Sequence, residues 1–294
     1  MHIDIIKGTV LILIAASAWG LGGVAGQYLF NNYGTDAVWL VMVRQIMAGV
    51  IFLFYSAAVK KENIFRLPQI CPSDILKFSF IGILGAQLGF YYTIALCNAA
   101  TATVLQYTAP IYIMLWMAWR KKKMPELREI IGICGAMTGV FLISTHGRSD
   151  SLAISPAALV VGIISALTYA YYTVMPVEML QRFSTTTVIG WGQLLSGVFL
   201  ILWRNPFTIY GTWDIYAAAA LTYLLFGATI LSYAMYLSGL QIIGPTKASL
   251  ISCAEPLASI IFMVLLLGTE LTWPDLFGMG AIILTVALLS LPKK

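Results

Sequence analysis

Apolar residues run through this chain in long blocks, and polar residues serve mainly as short punctuation between them. A helix needs about 20 predominantly apolar residues to cross the hydrocarbon of a bilayer. The pattern predicts ten such helices, over 8–30, 38–59, 75–97, 101–119, 129–145, 154–176, 186–203, 214–239, 246–267 and 274–291. Two boundaries are faint: Asn98 to Ala100 part the third helix from the fourth, and Gly244-Pro245 part the eighth from the ninth. Either pair read as one helix would far exceed the thickness of a membrane. Near the N-terminus, Lys7, an apolar run and Ala16-Ser17-Ala18 imitate a signal peptide. The run continues through Trp19 to Phe30, so an uncleaved first helix is expected.

Composition agrees. Of 294 residues, 60% are hydrophobic and 10% charged, against roughly 25% charged in a soluble domain. A globule in water could not hide so much apolar surface, so lipid is the solvent that fits. The net charge of +5 is unevenly placed. With the N-terminus inside, the inner segments hold fourteen Lys and Arg, among them Lys60, Lys61, Lys77, the Arg120–Lys123 cluster, Lys247, Lys293 and Lys294, while the outer loops hold only Arg148 and Arg204. The positive-inside rule then puts both termini in the cytoplasm and the protein in the cell membrane as a multi-pass chain. Trp39, Trp203, Trp213 and Trp273 are expected at the outer interface and Trp119 at the inner one. A basic balance of this kind reflects topology, so no nucleic-acid partner is expected.

Enzyme chemistry finds little support. Cys71, Cys97, Cys134 and Cys253 have no paired spacing, and His2 and His146 sit in no metal or triad pattern. No catalytic residue, metal, disulfide or cofactor is expected. Gly20, Gly22, Gly23 and Gly26 follow no strand and read as helix-contact positions, like Gly135 and Gly139. A Walker motif is absent from the sequence, which argues against ATP-driven pumping.

The chain also repeats itself. A shift of 146 places Ala102 on Ala248, Pro110 on Pro256, Gly132 on Gly278, Val140 on Val286 and Ser144 on Ser290; a shift of 148 places Gly49-Val50 on Gly197-Val198. Each half, 1–148 and 149–294, holds five expected helices. Five is odd, so the second half enters the membrane from the opposite side. The expected fold is an all-α integral membrane protein of ten transmembrane helices arranged as two inverted five-helix repeats, an architecture common among secondary transporters.

Several motifs carry a family resemblance. They are Ala18-Trp19-Gly20, Arg44, Tyr92-Thr93-Ile94-Ala95-Leu96, Ala109-Pro110 and Gly132 in the first half. In the second they are Gly244-Pro245-Thr246-Lys247-Ala248-Ser249-Leu250, Glu255-Pro256, Glu270 and Gly278. Over essentially its whole length the sequence resembles the EamA-type branch of the drug/metabolite transporter superfamily. The resemblance implies a carrier of small metabolites, often an amino-acid exporter, working by alternating access between the two halves. Nucleotide-sugar or drug efflux is the alternative cargo, and a non-transporting receptor or scaffold the alternative class. Ala109 stands where the other repeat has Glu255, so any acidic function is one-sided.

Residues inside the spans supply the candidate site. Arg44 either snorkels to outer headgroups or faces a watery cavity and attracts a carboxylate. Lys247 is either an inner anchor or a cation at the cavity mouth. Glu255 lies roughly 14 Å into its helix and is a packing carboxyl, a substrate-amine site or a proton-coupling site. Pro110 and Pro256 free carbonyls within their spans and are either hinges or static kinks. Gln45, Gln87, Gln106 and Gln193 should face protein or cavity. Trp19, Tyr91, Tyr92, Tyr169, Tyr172, Trp191, Tyr233 and Tyr236 are candidate cavity walls or ordinary packing. Trp19, Gln87, Tyr91, Tyr172 and Glu255 are expected to line one central space. The expected partners are a small-molecule substrate and the lipid bilayer, the protein being a monomer or weak homodimer.

Overall fold

The computed structural model describes residues 2–148, 150, 155–267 and 272–290. Among these every regular element is a helix. In chain order they are α1 (His2–Tyr33), α2 (Ala37–Phe54), the short α3 (Arg66–Ile70) and α4 (Pro72–Lys77), α5 (Gly85–Leu96), α6 (Ala99–Gln106), α7 (Ala109–Lys121) and α8 (Leu127–Thr145). The second half gives α9 (Pro156–Val174), α10 (Val177–Leu180), α11 (Thr185–Phe199), α12 (Ile215–Leu225), α13 (Ser232–Ile243), α14 (Pro245–Ser252), α15 (Glu255–Leu267) and α16 (Trp273–Ser290). Turns of π-helix extend α2 over Tyr55–Val59, join α4 to α5 over Phe78–Leu84 and join α12 to α13 over Phe226–Leu231.

Seven segments among the described residues are long and apolar enough to cross a membrane, and Trp273–Leu289 is a shorter apolar helix. The remaining two expected spans are broken. The fourth divides into α6 and α7 at Tyr107-Thr108, and the ninth into α14 and α15 at Cys253-Ala254. The cause is proline. Pro110 would cost an intrahelical hydrogen bond and clash with the preceding turn, so the helix stops and restarts with Pro110 in its first turn, where a missing N–H costs nothing. Pro256 follows the same logic as the second residue of α15. These prolines therefore open new helices; they do not kink continuous ones. Polar caps start the others. Asp36, Asn98, Ser155, Ser184 and Asp214 each accept a hydrogen bond from a backbone N–H in the first turn of the helix that follows.

Small residues set the packing, as expected where lipid removes the hydrophobic drive for helices to associate. Gly49 on α2 lets the backbone of Leu194 on α11 approach, where an added Cβ would stand 2.5 Å from its nitrogen. Gly197 on α11 does the same for the Ile46 backbone, at 2.7 Å. The most extensive helix pairings are α2 with α11, α8 with α16, α1 with α13 and α5 with α9. Exchanging the two repeats leaves this set unchanged: the first two pairs map onto themselves and the last two onto each other.

The N-terminal part of α1 and the C-terminal part of α16 lie at one end of the bundle. Gly8 abuts Ile242 and Ile243, and the Lys247 ammonium donates to the Leu289 carbonyl at 3.0 Å. Lys247 thus caps the last turn of α16. At the opposite end Tyr33 donates to Asp214 at 3.0 Å, and Arg204 pairs with Asp36 at 2.9 Å. Trp203 and Trp273 are exposed there, as is Trp119 at the termini end. Trp39 lies at the end opposite the termini too, buried and packed edge-on against Trp213. Glu270, Lys293 and Lys294 lie outside the described residues.

Candidate functional site

Both helix breaks point inward at the same depth. Tyr107, in the α6–α7 break, directs its hydroxyl at Glu255, the first residue of α15, with 2.7 Å to the carboxylate oxygen and 2.8 Å to the Ser252 carbonyl. The breaks and the flanking helices enclose a central chamber of about 40 Å³ lined by Trp19, Arg44, Gln87, Phe90, Tyr91, Gln106, Tyr107, Tyr169, Tyr233 and Glu255, with Ala86 and Ala228. That volume admits only a few waters. A larger solute requires the helices to separate.

Opposite charges face this chamber without pairing. Arg44, at 1% exposure, does not reach headgroups. Its Nε and one terminal nitrogen donate to the Thr229 hydroxyl at 3.0 and 2.6 Å, and Thr229 in turn donates to the Leu224 carbonyl across the π-helical turn. The guanidinium carbon sits 4.6 Å from the Tyr91 ring centroid, and its other terminal nitrogen is buried without a partner. Glu255, at 6% exposure, accepts from Tyr107. Neither residue makes an ion pair among the described residues. Buried charge in a bilayer is costly and belongs where a cavity or a ligand can meet it.

The aromatic wall is built from α1, α9 and α13. Trp19 meets Tyr233 at 5.4 Å, Tyr236 at 5.1 Å and Tyr169 at 6.5 Å between centroids. Tyr172 and Tyr236 stack at 5.8 Å behind this wall and do not line the chamber. Tyr236 is tied to Thr173 and Tyr169 faces Ser252. The amides form a second group. Gln87 donates to Gln193 at 3.0 Å, leaving one unpartnered atom on each, and Gln106 donates to Ser165 and the Ala86 carbonyl. Gln193 supports the lining residue Gln87 from behind. Gln45 is fully buried with both amide atoms unpartnered.

Two expected wall residues lie elsewhere. Tyr92 is 43% exposed and points out of the bundle, because neighbours on a helix diverge by about 100° and Tyr91 holds the inward face. Trp191 donates its indole N–H to the Ile64 carbonyl at 2.8 Å and packs against Phe65, closing the loop between α2 and α3. Of the five residues expected to share one space, Trp19, Gln87, Tyr91 and Glu255 do, and Tyr172 stands one layer back. Tyr107 and Thr229 were not anticipated. Tyr107 carried a usable signal: it precedes Ala109-Pro110 by two residues, just as Cys253 precedes Glu255-Pro256.

Known proteins bear on this arrangement. The chain is 37% identical over 294 residues to the uncharacterized inner membrane transporter YicL of Salmonella typhimurium, covering 98% of this chain and 96% of that one. It is 23% identical over 311 residues to the riboflavin transporter ImpX of Fusobacterium nucleatum, covering 98% of each. A solved crystal structure superposes with a TM-score of 0.77 at 16% identity over 96% of this chain and 95% of that one, a likeness of fold. The model of the EamA-like transporter family matches twice along the chain, at 6–145 and 156–291. Two copies of the family unit in one helical, multi-pass chain make this protein a member of the EamA-like transporter family.

Proposed function

We propose that the protein is a secondary transporter exporting small zwitterionic metabolites, amino acids or their derivatives, by alternating access around the central chamber. The observation that carries this reading is the pair Arg44 and Glu255. Two buried, opposite, unpaired charges on one aromatic-walled chamber complement a solute bearing both a carboxylate and an ammonium. Arg44 offers an unpartnered guanidinium nitrogen to the carboxylate. Glu255 takes the ammonium, or exchanges a proton when the chamber changes sides. Trp19, Tyr169 and Tyr233 cover the apolar part of the solute.

The proposal includes the membrane frame: ten crossings, in two inverted units over 1–148 and 149–294, with both termini cytoplasmic. Described Lys and Arg side chains collect at the termini end, and the positive-inside rule supports that end as the inner one. The breaks before Pro110 and Pro256 are the flexible points about which the halves rock.

A second reading has its own support. The relative from Fusobacterium nucleatum is named a riboflavin transporter, and the aromatic walls of Trp19, Tyr91 and Tyr233 beside the amides of Gln87 and Gln106 suit a planar heteroaromatic. Counterflow in proteoliposomes, with radiolabelled amino acids and riboflavin run side by side, decides between them. Amino-acid exchange lost in Arg44→Ala supports the first reading; riboflavin exchange alone replaces it with the second.

A further inference from the structure

Glu255 borders two spaces. Beyond the chamber, a second cavity of about 380 Å³ opens between α1, α6, the end of α8 and the start of α15. It runs from the depth of Gly20, Thr103 and Ser259 toward the end opposite the termini, where Gln27, Asn98 and His146 line it. It has room for many waters, while the chamber holds only a few. Nothing in the repeat symmetry supplies an equivalent carboxylate, since Ala109 occupies the matching position.

The far part of this cavity carries a fixed histidine. The ring Nδ1 of His146 lies 2.9 Å from Asp275, whose other oxygen accepts from the Thr272 N–H at 2.8 Å and the Thr272 hydroxyl at 2.7 Å. Asp275 is fully buried and sets the ring's orientation, while His146 remains 42% exposed. The imidazole's Nε2 is left as its exchangeable position.

We propose that this lateral cavity is a water-filled proton route from the end opposite the termini to Glu255, with His146 as the proton-exchanging group at its mouth. The proposal rests on the reading of Glu255 as a transport residue. A proton taken up from bulk water at Nε2 passes along the waters and converts the Glu255 carboxylate to the acid; release reverses each step, and Tyr107 keeps its own proton. Substrate and proton thereby reach one carboxylate from different sides. The polar ends of the cavity favour water over acyl chains, and a carboxylate at membrane depth requires such a neighbour. The other ionisable groups facing Glu255 are Tyr107 and Cys253 beside it, and Tyr91, Tyr169, Tyr233 and Arg44 across the chamber, with Tyr223 nearby, its hydroxyl donated to the Ala18 carbonyl. From α1 and α8 the cavity meets only uncharged residues before His146.

The test uses the reconstituted full chain with Cys71, Cys97, Cys134 and Cys253 replaced by Ala. Thr103→Cys should react with a charged, membrane-impermeant thiosulfonate added at the face opposite the termini. Gly23→Leu, which projects into the cavity from a position with room for a Cβ, should slow that reaction at least tenfold; Ser144→Trp serves if Gly23→Leu fails to fold. Carbodiimide modification of Glu255, read by mass spectrometry against Glu255→Gln, should accelerate severalfold when that same face is acidified and lose the response in His146→Ala. Reaction of Thr103→Cys with uncharged maleimide alone would make the cavity a lipid site and overturn the route. So would carbodiimide labelling that follows pH at the termini face. Amino-acid counterflow unchanged by Glu255→Gln would remove the transport reading instead, whatever the labelling shows.

Discussion

Tyr107 donates its hydroxyl to Glu255 across 2.7 Å, linking the break in one repeat to the first residue beyond the break in the other. Each break leaves a turn of backbone without its helical partners. The hydroxyl therefore ties the halves together where both are weakest, and does so through the acidic residue of the chamber. Tyr107→Phe should cost about 1.5–3 kcal/mol, the usual range for a hydrogen bond to a charged group. Thermal unfolding in detergent measures it. Glu255→Gln combined with Tyr107→Phe should cost less than the sum of the two singles; strict additivity would mean that the two side chains do not couple.

Arg44 should be indispensable to flux. Arg44→Ala leaves Thr229 and the Tyr91 face without their cation, and a loss of about tenfold to 150-fold in transport is expected from interactions of this kind. Arg44→Lys keeps charge but not the planar fork and should fall between the variant and the parent. Initial rates at matched expression provide the comparison. Full activity in Arg44→Ala would show that the residue is structural.

Gly49→Ala and Gly197→Ala should each destabilise the bundle, and by similar amounts. They are repeat mates, and either new Cβ would press on backbone of the partner helix, which cannot rotate aside. About 1–3 kcal/mol is the cost typical of overpacking. Melting temperature and monodispersity report it. A neutral Gly197→Ala would mean that α2 and α11 can part without penalty.

Acid should loosen the end opposite the termini. Partial burial works against ionisation of Asp36, but the Arg204 guanidinium and the Trp39 N–H outweigh it and hold its carboxyl below the usual range. Asp214 is held low by the Ala217 N–H first, with Tyr33 and the Tyr216 N–H adding to it. A carboxyl with a lowered folded value contributes stability above its unfolded value of about 3.9, and that contribution disappears as pH falls through the lower, folded value. Melting temperature should therefore drop below about pH 4, and the drop should shrink in Asp36→Asn combined with Asp214→Asn. An unchanged acid profile in the double variant would remove both caps from the explanation.

Lys122 turns the chain at the end of α7 with φ +51°, in the basic cluster at the termini end. Lys122→Cys should be labelled by impermeant maleimide only in inside-out vesicles. Labelling from outside intact cells would reverse the proposed orientation.

Sequence made the apolar blocks plain, because twenty apolar residues have few other uses. It was poorer at telling which side of each helix faces inward. In a membrane both the lipid face and the packed face are apolar, so the amphipathic stripe that marks a soluble helix is missing. Tyr91 and Tyr92 looked alike for this reason, and only one faces the chamber. Trp191 looked deep by its position along the chain, but the α2–α3 loop folds back to meet it. Charges were easier. Arg44 and Glu255 stood out because such residues need an explanation inside a span, and both face the chamber. Pro110 and Pro256 marked the right places, though as helix starts.

The π-helical turns over Phe78–Leu84 and Phe226–Leu231 occupy matching places in the two repeats, each just before a helix that supplies chamber residues. One extra residue per turn shifts everything that follows by about 100° around the axis relative to a regular α-helix. Gln87 and Tyr91 on one side, and Tyr233 on the other, owe their aim to that inserted residue. Deleting one residue from either turn would give a better-regularised helix that still spans, but with its polar groups addressed to the wrong neighbours. Each span thus behaves as a dial set one position off its resting mark, and the chamber exists only at that setting.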